Sequence, residues 1–306
     1  MELKEKTIGV LMGGLSPERE VSLTSGKAVL EAVKKKGLTG VGIDVDNNVA
    51  SALIKNKIDL AFIALHGVYG EDGAIQGLLE YAKIPYTGPG ILGSALAYDK
   101  VKSKEIFKLN NIPTADYQVF YRSQKKKPQC AFDLPVVVKP SNQGSSIGIS
   151  IVRGKKEWQP AMDLAFGYAE EVLVEKFIDG KLLAIGMNGE QAMPIVHIRP
   201  KSGFYDYEAK YTSGKTDYIC PADLSPTETQ RCQDTAAKVY QALRGSGMPR
   251  VDVILDSEGT PHILEMNTIP GMTSTSLLPM AAKESGMEFE DLVIEILKSA
   301  QLDYSE

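Results

Sequence analysis

Short apolar runs alternate with helical patterns over the first hundred residues. An apolar run at residues 7–12 ends in a glycine pair and leads to a helical repeat at residues 21–36. A second run, residues 60–65, ends at His66 and precedes an amphipathic stretch at residues 75–82. Strands and helices that alternate at these lengths predict a parallel, doubly wound sheet, which collects ligands at the carboxyl ends of its strands. We therefore expect the first glycine turn and His66 to lie at such strand ends.

The pattern becomes richer in strands after residue 97. A lysine-rich helix at residues 97–108 ends in a turn cluster containing Pro113. Strand-like runs follow at residues 117–121, 135–139, 147–152 and 172–177, and helical patterns at residues 158–169, 225–244 and 289–300. The expected fold class is therefore α/β followed by α+β. We predict three domains, with limits at residues 1–97, 98–184 and 185–306.

Composition and charge exclude several classes of protein. With 43% hydrophobic and 24% charged residues among 306, the sequence is typical of globular proteins and not of disordered ones. A formal net charge of −5 gives no general attraction to nucleic acid or to an anionic membrane. The three cysteines lack metal-binding spacing, which fits a reducing compartment. Since no signal-peptide pattern opens the sequence and no apolar run reaches about 18 residues, we expect a cytoplasmic location.

A hairpin near the C-terminus brings oxygen ligands together. If Asp256 pairs with Pro261 across a four-residue loop, Asp252 lies opposite Glu265. Asn267, two residues further on, shares the face of Glu265. Two carboxylates and an amide are ligands of the kind that hold Mg2+ against nucleotide phosphates. A solvated strand face is the alternative, but the carboxylates are flanked by Val, Ile and Leu, so we favour a metal site.

A second candidate is a loop that follows an apolar strand. The strand at residues 136–139 ends in Lys139 and leads to a glycine–serine loop that contains Gly144, Ser145 and Ser146. Backbone N–H groups and hydroxyls of such a loop can bind phosphate oxygens, and the lysine adds positive charge. An ordinary flexible hairpin remains the alternative on these residues alone.

Other motifs carry less weight in their contexts. Residues 88–93 match GxGxxG, but they follow the later strands of their domain and include a proline in the turn. Residues 214–216 end like a P-loop, but Ala209 occupies the position of the first glycine. Taken alone, His66 and Glu18 suit structural roles as well as functional ones. No Cys/His or Ser/His pairing at recognised spacing supports a covalent nucleophile.

Four segments, taken together and in order, resemble the D-alanine–D-alanine ligases. They are residues 13–22 (GGLSPEREVS), 64–73 (ALHGVYGEDG), 205–211 (YDYEAKY) and 264–273 (LEMNTIPGMT). The resemblance runs over almost the whole chain and implies an ATP-grasp fold behind an N-terminal parallel-sheet domain. In that fold, ATP lies between the central and C-terminal domains.

The resemblance implies the residues of the nucleotide site. Mg2+ or Mn2+, as two ions, would be held by Asp252, Glu265 and Asn267, in agreement with the hairpin argument. The ATP-binding residues would be Lys100, Lys139, Ser146, Glu175, Lys176 and Lys210. Lys100, Lys139 and Lys210 match lysines that contact phosphate, while Glu175 and Lys176 match the strand beside the adenine.

The resemblance also implies the substrate side and the reaction. Glu18 would hold the ammonium group of the first D-alanine, and Arg250 with the backbone of Gly271 would stabilise an oxyanion. The implied catalytic residues are Glu18, Ser145, Tyr211, Arg250 and Gly271, and the implied substrate-binding residues are His66, Ser276 and Leu277. The expected reaction joins two D-alanines through a D-alanyl phosphate, for peptidoglycan precursors. A homodimer is a further expectation from the family.

Two positions bear on specificity. Tyr211 stands where family members that use D-lactate tend to carry phenylalanine, so we predict dipeptide formation. Leu182 stands where the family usually has a glutamate that binds the ribose, so we predict weaker ATP binding or a different ribose partner. An ATP-grasp ligase with another acceptor, such as D-lactate, and a non-catalytic nucleotide-binding relative are the alternative functions.

Overall fold

The parallel sheet predicted for the N-terminal part is present. A computed structural model describes residues 2–124, 129–201, 203, 205, 209–210, 212, 214–273 and 275–304. The first strands are β1 (Thr7–Gly13), β2 (Thr39–Val45) and β3 (Leu60–Ile63), paired in parallel in the order β2-β1-β3. The first helices are α1 (Arg19–Lys35), α2 (Val49–Lys55), α3 (Ala74–Tyr81) and α4 (Ile91–Tyr98). The carboxyl ends of β1 and β3 lie side by side, as predicted.

The turn from β1 into α1 depends on its two glycines. Gly13 and Gly14 adopt φ angles of +79° and +84°, which glycine adopts without the steric cost of a side chain. At Gly13 the chain leaves the sheet, and Ser22 of α1 accepts a 2.9 Å hydrogen bond from its N–H. The turn therefore places Glu18 at the start of α1, above the ends of the strands.

The central part is an antiparallel sheet with one helix against it. Helix α5 (Lys100–Leu109) begins at Asp99, whose carboxylate caps the first turn. The following elements are β4 (Tyr117–Tyr121), β5 (Val136–Pro140), β6 (Ser150–Val152), α6 (Trp158–Phe166) and β7 (Glu171–Lys176). The strand order is β4-β7-β5-β6, and the side chains of α6 complete the apolar core on one face.

The C-terminal part is a five-stranded antiparallel sheet. Its strands are β8 (Lys181–Asn188), β9 (Gln191–Pro200), β10 (Thr216–Ile219), β11 (Arg250–Leu255) and β12 (Pro261–Asn267), in the order β10-β9-β8-β11-β12. The helices are α7 (Pro226–Ala242), α8 (Leu277–Glu284) and α9 (Phe289–Lys298). One face packs on α7, which leaves the other for the polar residues of β11 and β12. The domain limits stay a prediction, and β8 runs across the second of them.

The register of the β11–β12 hairpin differs from the prediction at the turn. Leu255, and not Asp256, pairs with Pro261, so the connection has one more residue than expected. A β-bulge at Leu264 absorbs the difference, and Asp252 still pairs with Glu265. The prediction failed at the turn because a bulge adds one residue to one strand, which alternation of polar and apolar positions does not reveal.

The two antiparallel sheets are joined at the start of the central part. The N–H of Ile263 in β12 donates to Pro113 O at 2.8 Å, and the Thr114 hydroxyl donates to Ile263 O at 2.8 Å. These bonds fix the segment that leads into β4 against the five-stranded sheet. Within the ranges that the structure describes, no helix is long and apolar enough to span a bilayer.

Candidate active site

Two cavities adjoin each other in the middle of the molecule. The inter-sheet cleft, about 320 Å³, lies between the four-stranded and five-stranded sheets, with Lys139 on one side and Leu182 on the other. The α1 cavity, about 590 Å³, is lined by the first turns of α1 and by the loop that follows β12. Tyr205 and Lys210 line both cavities. A ligand that extends from one cavity into the other would therefore pass Lys210.

Buried charges form a cluster at the base of the inter-sheet cleft. The carboxylate of Glu175 lies between two lysines, with Oε1 2.7 Å from Lys104 Nζ and Oε2 2.7 Å from Lys139 Nζ. Burial would raise the pKa of Glu175, but the two ammonium groups outweigh it and lower the pKa. Lys104 also donates to Thr114 Oγ1 at 2.5 Å and to Ala115 O at 3.2 Å, so its ammonium has an acceptor in each direction.

A third lysine connects the cleft to the hairpin. Lys100 Nζ lies 3.0 Å from Glu265 Oε2 and donates to Gln143 O at 2.8 Å. Burial would raise the pKa of Glu265, but Lys100 and then Lys210 outweigh it and lower the pKa to about 2. Glu265 is therefore an anionic oxygen ligand over the whole physiological range of pH.

The three residues predicted to bind metal share one face of the hairpin. Asp252 pairs with Glu265, and Asn267 Nδ2 donates to Asp252 Oδ2 at 3.0 Å. Arg250 donates to both oxygens of Asp252, from Nε at 2.7 Å and from Nη2 at 2.8 Å. Two carboxylates and one amide oxygen suit a hard divalent cation, with the remaining positions left for water and phosphate oxygens. In the described part of the chain, no three His, Cys, Asp or Glu side chains converge as a metal cage.

Glu18 and Ser145 meet at the border of the α1 cavity. The Ser145 hydroxyl donates to Glu18 Oε1, although the two residues lie 127 positions apart in the sequence. Burial raises the pKa of Glu18 and the carboxylate of Glu71 adds to the effect, while Ser145, His66 and Lys210 oppose it. The structure therefore brings together the loop after β5 and the start of α1, as the resemblance implies.

The glycine–serine loop fits closely over this region. A Cβ atom on Gly144 would lie 2.8 Å from Glu18 Oε2, so a larger residue there would displace the carboxylate from its observed position. Ser145 and Ser146 adopt positive φ angles of 50° and 59°. The Ser146 hydroxyl donates to Tyr205 O at 3.1 Å, which joins the loop to the segment that lines both cavities. Strained backbone of this kind is typical of loops at functional sites.

His66 follows the end of β3, and its two ring nitrogens differ in their surroundings. Its Nδ1 is 4.0 Å from Glu71 Oε1, and Glu71 Oε2 accepts the N–H of Gly67 at 2.8 Å. The Ser16 hydroxyl donates to His66 O at 2.6 Å, so the backbone is also held. No residue in the described ranges is a hydrogen-bond partner of the buried Nε2. His66 therefore has a polar atom to offer to a ligand in the α1 cavity, which it lines.

The far wall of the α1 cavity contains the remaining substrate residues. Arg250, Gly271, Ser276 and Leu277 all line it. The Ser276 hydroxyl accepts the N–H of Thr273 at 3.0 Å, which shapes the loop before α8. Burial would lower the pKa of Arg250, but Asp252 outweighs it and raises the pKa, so the guanidinium stays charged.

Lys176 and Leu182, which the sequence associated with the nucleotide, both lie at the inter-sheet cleft. Lys176 lies at the cleft and pairs with Asp116 at 2.9 Å, with both side chains more than half exposed. Leu182 pairs with Ile198 and Ile254 on the cleft face of the sheet, so that wall is apolar. Tyr211 lies outside the described residues.

Several residues around the two cavities were not among those predicted from the sequence. Lys104 has the spacing of one helical turn from Lys100, so the two share a face of α5, which is a signal that was available. Glu71 stands within a motif already quoted. Tyr218 and Ser25 gave no signal, because their contacts with Tyr205 and Met272 join distant segments.

The fold and the site define an ATP-grasp protein, with two antiparallel sheets around a lysine-rich cleft beside a parallel-sheet domain. Residues 46–89 match the family described as D-ala D-ala ligase N-terminus, and residues 106–298 match D-ala D-ala ligase C-terminus. The D-alanine–D-alanine ligase of Geotalea uraniireducens is 50% identical over 306 residues, which cover 100% of this chain and 99% of that protein. The Geobacter sulfurreducens ligase is 50% identical over 303 residues, with coverages of 98% and 96%.

Solved structures agree with the sequence comparison. The D-alanine–D-alanine ligase of Bacillus anthracis superimposes with a TM-score of 0.85 at 35% identity, and its complex with ATP with 0.84 at 32%. Each match covers 96% of this chain and 97% of the other. The chain belongs to the D-alanine–D-alanine ligase family.

Proposed function

We propose that this protein joins two D-alanines, with ATP converted to ADP and phosphate, to supply a dipeptide for peptidoglycan precursors. The observation that carries the proposal is the junction of the two cavities at Lys210. On one side lie Lys139 and the two carboxylates of the hairpin, and on the other lies Ser145, whose hydroxyl donates to the partly buried carboxylate of Glu18. This arrangement supports a phosphoryl donor in the inter-sheet cleft and an amino acid in the α1 cavity.

The first step would activate a carboxylate, which is a poor acyl donor because its leaving group is oxide. A carboxylate oxygen of the first D-alanine attacks the γ-phosphorus, the bond to the bridging oxygen breaks, and ADP leaves. Lys100, Lys139 and Lys210 would offset the negative charge of the phosphates. Glu18, held by Ser145, would fix the ammonium group and so orient the attacking carboxylate.

The hairpin fits a divalent metal beside the phosphates. Asp252, Glu265 and Asn267 offer oxygen atoms only, and two of them are carboxylates. Mg2+ or Mn2+ bound there, as two ions, would supply charge stabilisation to the transferring phosphoryl group. Arg250 and Lys100 already neutralise part of the hairpin's charge, which favours ligands shared with phosphate over an all-protein cage.

The second step would form the peptide bond. The amine of the second D-alanine attacks the carbonyl carbon of the D-alanyl phosphate, which gives a tetrahedral intermediate that expels phosphate. Arg250 and the N–H of Gly271 would stabilise its oxyanion. Ser276 and Leu277 would hold the second D-alanine. His66, whose Nε2 has no hydrogen-bond partner within the described ranges, would orient the substrate or accept the amine proton.

The acceptor is D-alanine in this proposal, and not D-lactate. The support is Tyr211, where D-lactate users tend to carry phenylalanine. Use of ATP agrees with a cytoplasmic location, and the family resemblance supports a homodimer, which light scattering would test.

A panel of acceptors tests the proposed specificity. The purified protein would be incubated with ATP, Mg2+, D-alanine and a second component, which is either more D-alanine or D-lactate. We expect D-alanyl-D-alanine as the dominant product at neutral pH. Dominant formation of the D-lactate ester would overturn the assignment of the acceptor and leave the reaction class standing.

A further inference from the structure

The N-terminal helix α1 holds the loop that carries Gly271. The N–H of Met272 donates to the Ser25 hydroxyl at 3.1 Å, between two buried residues 247 positions apart. Met272 directly follows Gly271. We propose that Ser25 is a positioning residue that aims the N–H of Gly271 at the oxyanion, an inference that rests on the function proposed above.

The backbone around Gly271 needs an external restraint. Residues 268–272 lie between β12 and α8, outside any strand or helix. Glycine has the widest choice of φ and ψ, so the peptide groups on its two sides can rotate more freely than elsewhere. The hydrogen bond to Ser25 fixes the peptide group after Gly271. The N–H of Gly271 itself has no acceptor among the residues that the structure describes, which leaves it for a ligand.

The same helix also fixes the parts of the site around the first substrate. Glu18 stands at its first turn, and Ser22 accepts the N–H of Gly13 at 2.9 Å and donates to Ala64 O at 2.7 Å. Ser22 and Ser25 are three residues apart, so they lie on one face of α1. The seven residue steps from Glu18 to Ser25 span roughly 10 Å of helix. Helix α1 therefore sets the distance between the ammonium-binding carboxylate and the loop of the oxyanion donor.

Loss of the Ser25 hydroxyl would affect only one of the two chemical steps. Phosphoryl transfer involves attack on phosphorus, and no oxyanion forms on carbon. Peptide bond formation passes through a tetrahedral carbon, whose oxyanion needs the N–H of Gly271. In Ser25→Ala the N–H of Met272 loses its acceptor in a dry environment, and the loop can rotate away from the reactive geometry.

The test compares Ser25→Ala with Ser94→Ala as a matched control. Ser94 is also a buried helical serine, and its hydroxyl donates to Pro89 O at 3.1 Å, away from both cavities. Ser25→Cys is a second test variant, because it keeps the volume of the side chain but provides a poor acceptor. Thermal unfolding of each variant reports whether it folds.

Three quantities would be measured for each variant. The first is kcat for the dipeptide. The second is scrambling of 18O between the β,γ-bridging position and the non-bridging positions of the β-phosphate of ATP in the presence of D-alanine, which reports reversible phosphoryl transfer. The third is the affinity of a phosphinate dipeptide analogue, whose tetrahedral phosphorus mimics the tetrahedral carbon. For both Ser25 variants we expect kcat and analogue affinity to fall about tenfold, with the scrambling rate unchanged.

The outcomes separate this inference from the proposed function. Wild-type kcat and analogue affinity in both Ser25 variants would overturn the positioning role, and so would a scrambling rate that falls as much as kcat. Equal losses in Ser94→Ala would also overturn it, because they would show a general effect of deleting a buried hydroxyl. If the wild-type protein forms no dipeptide at all, the proposed function fails, and the role of Ser25 fails with it.

Discussion

Asp252 and Glu265 face each other across the β11–β12 hairpin because a bulge at Leu264 corrects the register by one residue. Without that extra residue, the longer turn would place Leu264 opposite Asp252 and turn Glu265 towards the other face of the sheet. Arg250 and Lys100 then hold the two carboxylates by direct contacts. The metal site therefore depends on a local irregularity and not on regular pairing alone.

Glu18→Gln tests the ammonium site through its pH dependence. Burial and then Glu71 raise the pKa of Glu18 above its ordinary 4.5, so protonation removes the binding carboxylate as the pH falls through that raised value. We expect kcat/KM for D-alanine to fall on the acid side in the wild-type protein. The variant should lose that acid limb and show kcat/KM lower by roughly 30-fold, or about 2 kcal/mol.

The same shift predicts the sign of a stability effect. Native Glu18 binds its proton more tightly than unfolded Glu18, so its contribution to the free energy of unfolding falls as the pH rises through the raised pKa. In urea titrations, the free energy of unfolding of Glu18→Gln minus that of the wild type should therefore be larger at neutral pH than at pH about 4. For activity, an acid limb of kcat/KM that persists in Glu18→Gln would show that a group other than Glu18 controls this pH dependence.

Arg250→Lys tests the oxyanion donor at constant charge. Lysine cannot reproduce the two parallel hydrogen bonds that Arg250 makes with Asp252, so the cation would no longer be held in place. We expect kcat to fall about 100-fold, or roughly 3 kcal/mol in activation free energy. Arg231→Lys is the control, since Arg231 contacts Gly259 O at the far end of the hairpin. Equal kcat values for both variants would contradict the role of Arg250.

Lys104→Met tests the buried cluster beneath the cleft. Its loss leaves Glu175 with one cation and removes the contact with Thr114, which joins the two sheets. We expect the free energy of unfolding in urea to fall by about 3 kcal/mol. Lys102→Met, two residues away on the exposed face of α5, is the control and should leave the urea midpoint nearly unchanged. A urea midpoint of Lys104→Met equal to that of the wild type would show that Lys139 alone is sufficient to stabilise the buried carboxylate of Glu175.

Leu182→Glu tests the apolar wall of the inter-sheet cleft. The side chain lies beside Ile198 and Ile254 and lines the cleft, so a glutamate there can reach a ribose hydroxyl. One added hydrogen bond of about 1 kcal/mol predicts an ATP KM roughly fivefold lower than in the wild type. Leu182→Met keeps the wall apolar and should leave the ATP KM unchanged. An ATP KM that is equal in all three proteins would mean that the ribose does not contact this position.

Local sequence signals predicted many of the strands and helices and the residues that face each other in one hairpin. The glycine pair after β1 and the alternation in β11 and β12 are both encoded within a few residues. The pairing of Asp252 with Glu265 followed from such signals even though the turn was one residue longer than expected. Residues on one helix face or one hairpin can thus be placed together from periodicity alone.

Contacts between distant segments could not be predicted in this way. The hydrogen bond from Met272 to Ser25 spans 247 positions, and the ion pair between Lys104 and Glu175 joins helix α5 to strand β7. Both depend on how segments far apart in the sequence pack together, which single-sequence patterns do not encode. Ser25 and Lys104 would pass for an ordinary helix serine and a solvated lysine without the structure.

The ratio of dipeptide to ADP tests whether the protein joins two D-alanines at the expense of ATP. The protein would be incubated with ATP, Mg2+ and D-alanine as the only amino acid, with ADP measured by a coupled assay and D-alanyl-D-alanine by mass spectrometry. We expect one dipeptide per ADP, with both products abolished when D-alanine is omitted or EDTA is added. ADP release that is independent of D-alanine, or turnover without dipeptide, would contradict the proposed function.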